Sequence, residues 1–393
     1  MCDTLSIAFT GDIGFDKYMD KKWEDPELLS EEILAFLHSS DHVVANVEGP
    51  LIESEQFDAK TGVAQLLHSM NPAAVEVLKR MQADVWNICN NHIMDAGDEG
   101  ISATLKEAAA VGAMTVGAGR NLEEAAKPLF FKEAGGVGIF SVGYDRACRI
   151  AAADKAGCLN FSAMDVVEEN IKKIKANNRW CIVVAHDGEE FTALPTSYTR
   201  DRYLKYLELG ADIVVAHHPH VPMNYELVGD KAIFYSLGNF IFDTPYQRAQ
   251  FNTEKGILLK LMLDEKRFSF DAMGLLIDRE NERVVKAPLP DIFENVPKDE
   301  YKLLEPLAAK MFIANTKRQI IYFKPEEYEH ASEEKWLENF MQPLRSGRVP
   351  GQLLDLPIVL ETAKRADKRH LGKIKITPKL EYNKAENVFS STF

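Results

Sequence analysis

The side chains that could do chemistry in this sequence stand in small polar groups, each directly after a short apolar run. Gly11-Asp12 follows Leu5–Thr10, and Glu48-Gly49-Pro50 follows His42–Val47, which contains Asn46. Asn90-Asn91-His92 follows Val85–Cys89, with Asp95 three residues on. His186-Asp187-Gly188-Glu189-Glu190 follows Cys181–Ala185, and His217-His218-Pro219-His220 follows Ile213–Ala216. Carboxylate oxygen, imidazole nitrogen and amide oxygen are the donors that divalent cations of borderline hardness take. A cation so held would polarise a phosphoryl or acyl centre and make water a nucleophile near neutral pH. Pro219 excludes a helix at the histidine cluster, and an extended segment there would turn His218 and His220 to one face and His217 to the other. For a single histidine, a solvated loop is the simpler reading. Five of the ten histidines in such loops ask for a common cause.

The elements that must position these groups alternate along the first 220 residues. The apolar runs read as strands, joined by Val137–Val142, and between them lie helical patterns at Pro26–His38, Pro72–Met81, Ile101–Val111, Ala163–Ala176 and Tyr198–Leu209. Gly112 and Gly210 stand where a helix C-cap wants glycine. Strand–helix alternation predicts a layered α/β fold with its functional loops at the C-terminal ends of the strands. Asn224–Val228, Ala232–Tyr235, Gly256–Leu263 and Phe268–Ile277 then read as antiparallel strands closing the domain. After Pro288-Leu289-Pro290 the pattern turns helical with proline punctuation. The division expected is therefore 1–285 for the α/β domain and 286–393 for a mainly helical C-terminal extension.

The motifs GDIGFDKYM, ANVEGPL, ADVWNICNNHIMDAGDEGI, AHDGEEF, GADIVVAHHPHV and IFYSLGNFIFD resemble, in order, those of the CapA-type poly-γ-glutamate capsule-synthesis proteins. These belong to the wider calcineurin-like metallophosphoesterases, and the likeness runs from about Leu5 to Asp243. It implies a four-layer α/β/β/α metallophosphoesterase-like sandwich holding one or two divalent ions (Mn, Zn, Fe, Mg or Ca). By the resemblance, Asp12 and His220 would hold one ion. Asn91, His186 and His218 would hold the other, with Glu48 bridging. His92 would act as general acid or as a clamp on developing negative charge, with Asp95 as its partner or, equally, as a helix N-cap. Glu190 and Asn239 would line the cleft, Asn46 would orient Glu48, and Asn46, His217 and Asn239 fall on the substrate side. The sequence departs from the wider pattern at Gly14, where a histidine ligand is usual. It departs again at Glu48, where the bridge is usually Asp, and at Asp187, where capsule-type chains commonly carry an aromatic residue.

Composition narrows the function classes. With 46 Lys+Arg against 60 Asp+Glu, the 393-residue chain carries a formal charge of −14. Residues 291–393 contain 17 basic and 16 acidic side chains, a net of +1, so residues 1–290 hold −15. This argues against nucleic acid as a partner, which wants a basic footprint. A bound cation would reverse the local sign, so an anionic small molecule, a peptide or a polyglutamate remains a suitable substrate. The basic stretch Lys364–Lys379 is either a docking surface for a polyanion or a solvated tail. No Walker loop is present, and Gly117-Ala118-Gly119 reads as a turn. Five cysteines without CxxC spacing form no disulfide framework, and Cys89 and Cys181 read as core thiols. No leader or membrane anchor is visible, which makes cytoplasmic the expectation. Three functions follow: a metal-dependent hydrolase of phosphoesters or γ-glutamyl amides linked to capsule-type polymers, a metal-dependent peptide epimerase acting at Cα, or a non-catalytic subunit of a polymer synthase.

Overall fold

The structure is a computed structural model. It describes residues 4–53, 67–144, 147–350 and 353, with the backbone of 380–383 and 388–391. Two sheets form the first compact unit, which ends at Ala308. In the first sheet the parallel strands Leu5–Ile13, His42–Val47, Val85–Asn87 and Met114–Val116 lie side by side. Antiparallel Lys255–Leu263, Phe268–Asp278 and Arg283–Ala287 extend its other edge. The second sheet runs Tyr225–Val228, Lys231–Phe234, Ile213–His217, Trp180–His186, Val137–Gly143 and Leu129–Phe131, its middle four strands parallel.

Alternation along each strand sorts side chains between layers. Ile7, Phe9 and Val44 enter one core with Ile182, Val184 and Val215, so the two sheets pack face to face. Their neighbours along the strands do the opposite: Ala8, Val43 and Ala45 pack with Ile33, Leu37 and Ile101 of helices Glu31–His38 and Gly97–Val111. On the far side, Val183 and Val214 pack with Ile171 and Ile174 of Met164–Lys175 and with Tyr203 and Tyr206 of Ser197–Leu209. Helices, sheet, sheet, helices make four layers, the expected α/β sandwich. Both faces of each parallel strand are buried, which explains the near-continuous apolar runs.

Two of the boundaries that differ from the sequence reading have clear local reasons. The first helix starts at Glu31 rather than Pro26, because Leu28 and Ser30 exchange backbone hydrogen bonds with Val284 at the sheet edge (2.7 and 3.0 Å). The third strand stops at Asn87, whose Oδ1 accepts from the backbone N–H of Cys89 (3.3 Å) and turns the chain into the Asn90-Asn91-His92 loop. Gly112 and Gly210 do close their helices in left-handed conformation (φ 75° and 119°).

The second compact unit comprises residues 309–393. Helix Lys298–Phe323 runs through the boundary, and Pro325–Tyr328 and Glu333–Arg345 follow. Phe312, Ile313, Tyr328, Trp336 and Phe340 form its own small core. Trp336, Phe340 and Pro343 share one face of the last helix, which Ser332 caps by accepting from the backbone N–H of Lys335 (3.3 Å). A two-stranded ladder, Leu380–Asn383 with Val388–Ser391, adds β-structure not foreseen in this extension. The basic stretch Lys364–Lys379 lies outside the described residues.

Candidate metal centre

Because the central strands of each sheet are parallel, their polar C-terminal groups gather along one edge of the sandwich. Asp12, Glu48 and Asn91 come from the first sheet, and His186, His218 and His220 from the second. Ligand atoms of Asp12, Glu48 and His186 lie within 4.8 Å of one another, as do those of Glu48, His218 and His220. Glu48 is common to both groups. Its Oε1 is 3.6 Å from Nε2 of His186 and 3.6 Å from Nε2 of His220. Asn91 Oδ1 lies 2.8 Å from His186 Nε2. Both Glu48 oxygens are fully buried without a hydrogen-bond partner. A buried carboxylate left so is costly unless a cation is held there, and the surrounding imidazole nitrogens and amide oxygen fit a divalent ion.

The residues behind this set hold it by hydrogen bonds, in an arrangement that corrects several sequence expectations. Asn46 orients Asp12 rather than Glu48: its Nδ2 donates to Asp12 Oδ1 (2.8 Å) and its Oδ1 accepts from Asn87 Nδ2 (2.7 Å). Fully buried, it offers nothing to a substrate. Asn239 is likewise buried, with Oδ1 2.9 Å from His220 Nδ1 and Nδ2 donating to Gln247 Oε1 and the Thr253 carbonyl (3.1 and 2.9 Å). His217 points Nε2 at the carbonyl of Thr10 (2.9 Å) and is 1% exposed, so it braces the strand end instead of lining the cleft. His218 and His220 do converge, but through left-handed backbone (φ 98° and 59°) rather than an extended segment. His220 Nδ1 is also 3.1 Å from Asp12 Oδ2, which leaves Nε2 as its metal-ligating nitrogen.

A second polar group borders the first. His92 Nδ1 lies 2.7 Å from Asp95 Oδ2. Asp95 caps no helix, since Gly97–Val111 begins after Ala96. Glu190 accepts from the Tyr246 hydroxyl (3.3 Å), whereas Glu189 is spent on Thr196 and Thr199 at the start of helix Ser197–Leu209. Asp187 pairs with Arg202. One residue escaped the sequence reading together with its partner: His68 sits edge-on to His92 (ring centroids 4.3 Å apart, 88°), and its Nδ1 is 2.7 Å from Asp16 Oδ2. His68 follows no strand and belongs to no motif, so the sequence offered no signal for it. At Gly14 a Cβ would lie 2.7 Å from the ring of Phe242, which itself packs on His220 (4.9 Å). Phenylalanine thus fills the space beside the position where a histidine ligand is usual.

Residues 6–244 match the family model described as bacterial capsule synthesis protein PGA_cap. The chain belongs to this family. Every converging side chain falls inside the matched span, and the second compact unit falls outside it. Over 252 residues the chain is 32% identical to the "PGA biosynthesis protein CapA" of Bacillus subtilis, covering 63% of this chain and 66% of that one. Over 257 residues it is 28% identical to the "Capsule biosynthesis protein CapA" of Bacillus anthracis, covering 63% and 62%. The chain thus spans somewhat less than two thirds of each of these relatives. Among solved structures, a hypothetical protein from Thermus thermophilus aligns with a TM-score of 0.43 at 14% identity, over 72% of this chain and all of that one. A 5'-nucleotidase from Candida albicans aligns at 0.38 and 12%, over 70% and 52%. Likenesses of this size carry no argument about activity.

The electrostatics of this PGA_cap site follow from gathering ionisable groups away from water. Burial and the neighbouring Asp12 charge push Glu48 well above the usual carboxylate range. Burial alone would do the same to Asp12, but the hydrogen bond and charge of His220 outweigh it and hold Asp12 low. His220 itself resists burial and is raised to about 10 by Glu48, Asp12 and Glu190. Burial and the other imidazoles push His186 well down, and burial with His68 pushes His92 down to about 4. Burial raises Glu190. Without a cation the cluster therefore stores its charge as an Asp12–His220 ion pair beside a neutral His186, which is ready to ligate.

Proposed function

We propose that this PGA_cap chain is a metal-dependent hydrolase acting on phosphoesters or γ-glutamyl amides in capsule-type polymer metabolism. One observation carries the reading: six ligand-type side chains from two sheets converge, and one of them, Glu48, is a buried carboxylate with no hydrogen-bond partner. Asp12, Glu48, Asn91, His186, His218 and His220 are the residues that would hold one or two divalent ions. When bound, such ions supply Lewis-acid polarisation of a substrate oxygen. His92, its Nδ1 held by Asp95, presents Nε2 as a hydrogen-bonding and proton-transfer group. Glu190, which accepts from Tyr246 and lies near enough to His220 for their charges to interact, can orient the substrate's polar end. The names of the Bacillus relatives favour a polyglutamate-linked substrate, and an anionic substrate suits a site whose local charge a cation would reverse.

The test combines metal analysis and turnover. Purified protein should carry tightly bound divalent metal by mass spectrometry, and Glu48→Gln and His186→Ala should lose it. A panel of phosphoesters, γ-glutamyl peptides and L- and D-peptides in deuterated water then separates reactions, since epimerisation leaves deuterium at Cα and hydrolysis does not. Metal content well below one equivalent after loading, or turnover that survives both substitutions, overturns the hydrolase reading.

A further inference from the structure

We propose that His68, held by Asp16, is a further catalytic residue: it donates a proton to the departing group, beside His92. The inference rests on the hydrolytic reading above. Its grounds are a second His–Asp pair of the same build as the first, packed against it. His68 Nδ1 lies 2.7 Å from Asp16 Oδ2, as His92 Nδ1 lies 2.7 Å from Asp95 Oδ2. The backbone N–H of His68 also donates to Asp95 Oδ2 (2.9 Å), so one carboxylate holds both the His92 ring and the His68 backbone. The His68 ring contacts Phe242 (5.0 Å), the ring that packs on His220. Its side chain is 8% exposed, and Nε2 has no hydrogen-bond partner among the described residues.

The two pairs differ in what their carboxylates already do. Asp95 Oδ2 accepts two hydrogen bonds, from His92 Nδ1 and the His68 backbone. Asp16 gives Oδ2 to His68, with Lys17 Nζ 3.5 Å away, while its Oδ1 is buried without a hydrogen-bond partner. Asp16 is thereby placed to accept the Nδ1–H of His68, which makes Nε2 the ring atom left to carry a transferred proton. Asp16, Lys17, His92, Asp95 and Glu190 are the charged or titratable groups facing His68.

In the step itself, water adds to phosphorus or to the carbonyl carbon, and the bond to the departing oxygen or nitrogen breaks. The departing atom takes the proton from His68 Nε2, and the proton shed by the water restores the imidazole through solvent. No oxidant or reductant is needed. A proton donor matters most when the departing group is a poor one.

The experiment is therefore a leaving-group comparison on the full chain loaded with divalent metal. Aryl and alkyl phosphodiesters, and γ-glutamyl 4-nitroanilide and alkylamide, are hydrolysed by wild type, His68→Gln and Asp16→Asn. For His68→Gln, kcat on the alkyl substrates should fall about 100-fold or more, while kcat on the aryl substrates changes only a few-fold and KM is retained. Asp16→Asn should show the same leaving-group dependence, and it decides the matter should His68→Gln fail to fold. Metal content by mass spectrometry should equal that of wild type in both variants. Equal losses on aryl and alkyl substrates, no loss on either, or reduced metal content overturns the role of His68 while leaving the hydrolase reading intact. A wild type that hydrolyses neither class overturns both.

Discussion

At the scale of single residues, the polar side chains behind the ligands matter as much as the ligands. Asn46 is fully buried, and removing its amide strands Asp12 Oδ1 and Asn87 Nδ2 in the interior. Asn46→Ala should cost about 1–3 kcal/mol of stability by urea unfolding. It should also weaken cation binding by about 10–100-fold in a competition titration. A different residue sets a pH dependence far from the site. His42 Nδ1 lies 2.6 Å from Asp84 Oδ2, and that hydrogen bond raises His42 against its partial burial. A raised folded-state pKa contributes stability that is complete below the unfolded value of about 6.5 and is lost as pH rises through the folded value. The stability gap between wild type and His42→Gln should therefore be widest in mild acid and close towards alkaline pH. An unchanged gap would show that the pair is not the source.

At the scale of elements, the strands and helices that carry the ligands were legible because each reads as an apolar run with a polar group at its end. Their convergence on one edge follows from parallel strands, whose C-terminal ends must share a side. What stayed hidden depends on contacts between segments distant in sequence. Leu28 and Leu29 look helical until Val284 claims their backbone. Asn46 and Asn239 read as site-lining because nothing in one sequence shows which neighbour an amide faces. His68 comes close to His92 only through tertiary folding. Gly117 shows the same dependence. It reads as a turn residue, and it adopts φ +92°, but a Cβ there would also lie 2.4 Å from Cys89 Cβ and 2.6 Å from Ser141 Cβ. Gly117→Ala should accordingly cost about 2–4 kcal/mol by chemical denaturation, combining the left-handed backbone with overpacking. A loss of a few tenths would mean the strands separate there freely.

At the scale of the whole molecule, four layers bring a −14 chain to a site that wants positive charge at its centre. No helix among the described residues is long and apolar enough to cross a membrane. Under the metal-dependent reading, exhaustive chelation should lower the thermal midpoint, and restoring free metal to about a hundred times its dissociation constant should return about 2.7 kcal/mol. Calorimetry with and without chelator checks this, and a midpoint indifferent to metal would count against the site. The six converging side chains come three from each sheet, so the coordination set is split across the seam between the sheets. Any motion that parts the two sheets at that edge pulls the donors apart in two groups of three. Under the metal-dependent reading, loss or exchange of an ion held there requires the sandwich to breathe, and the rate at which metal leaves becomes a clock for how often the two halves open.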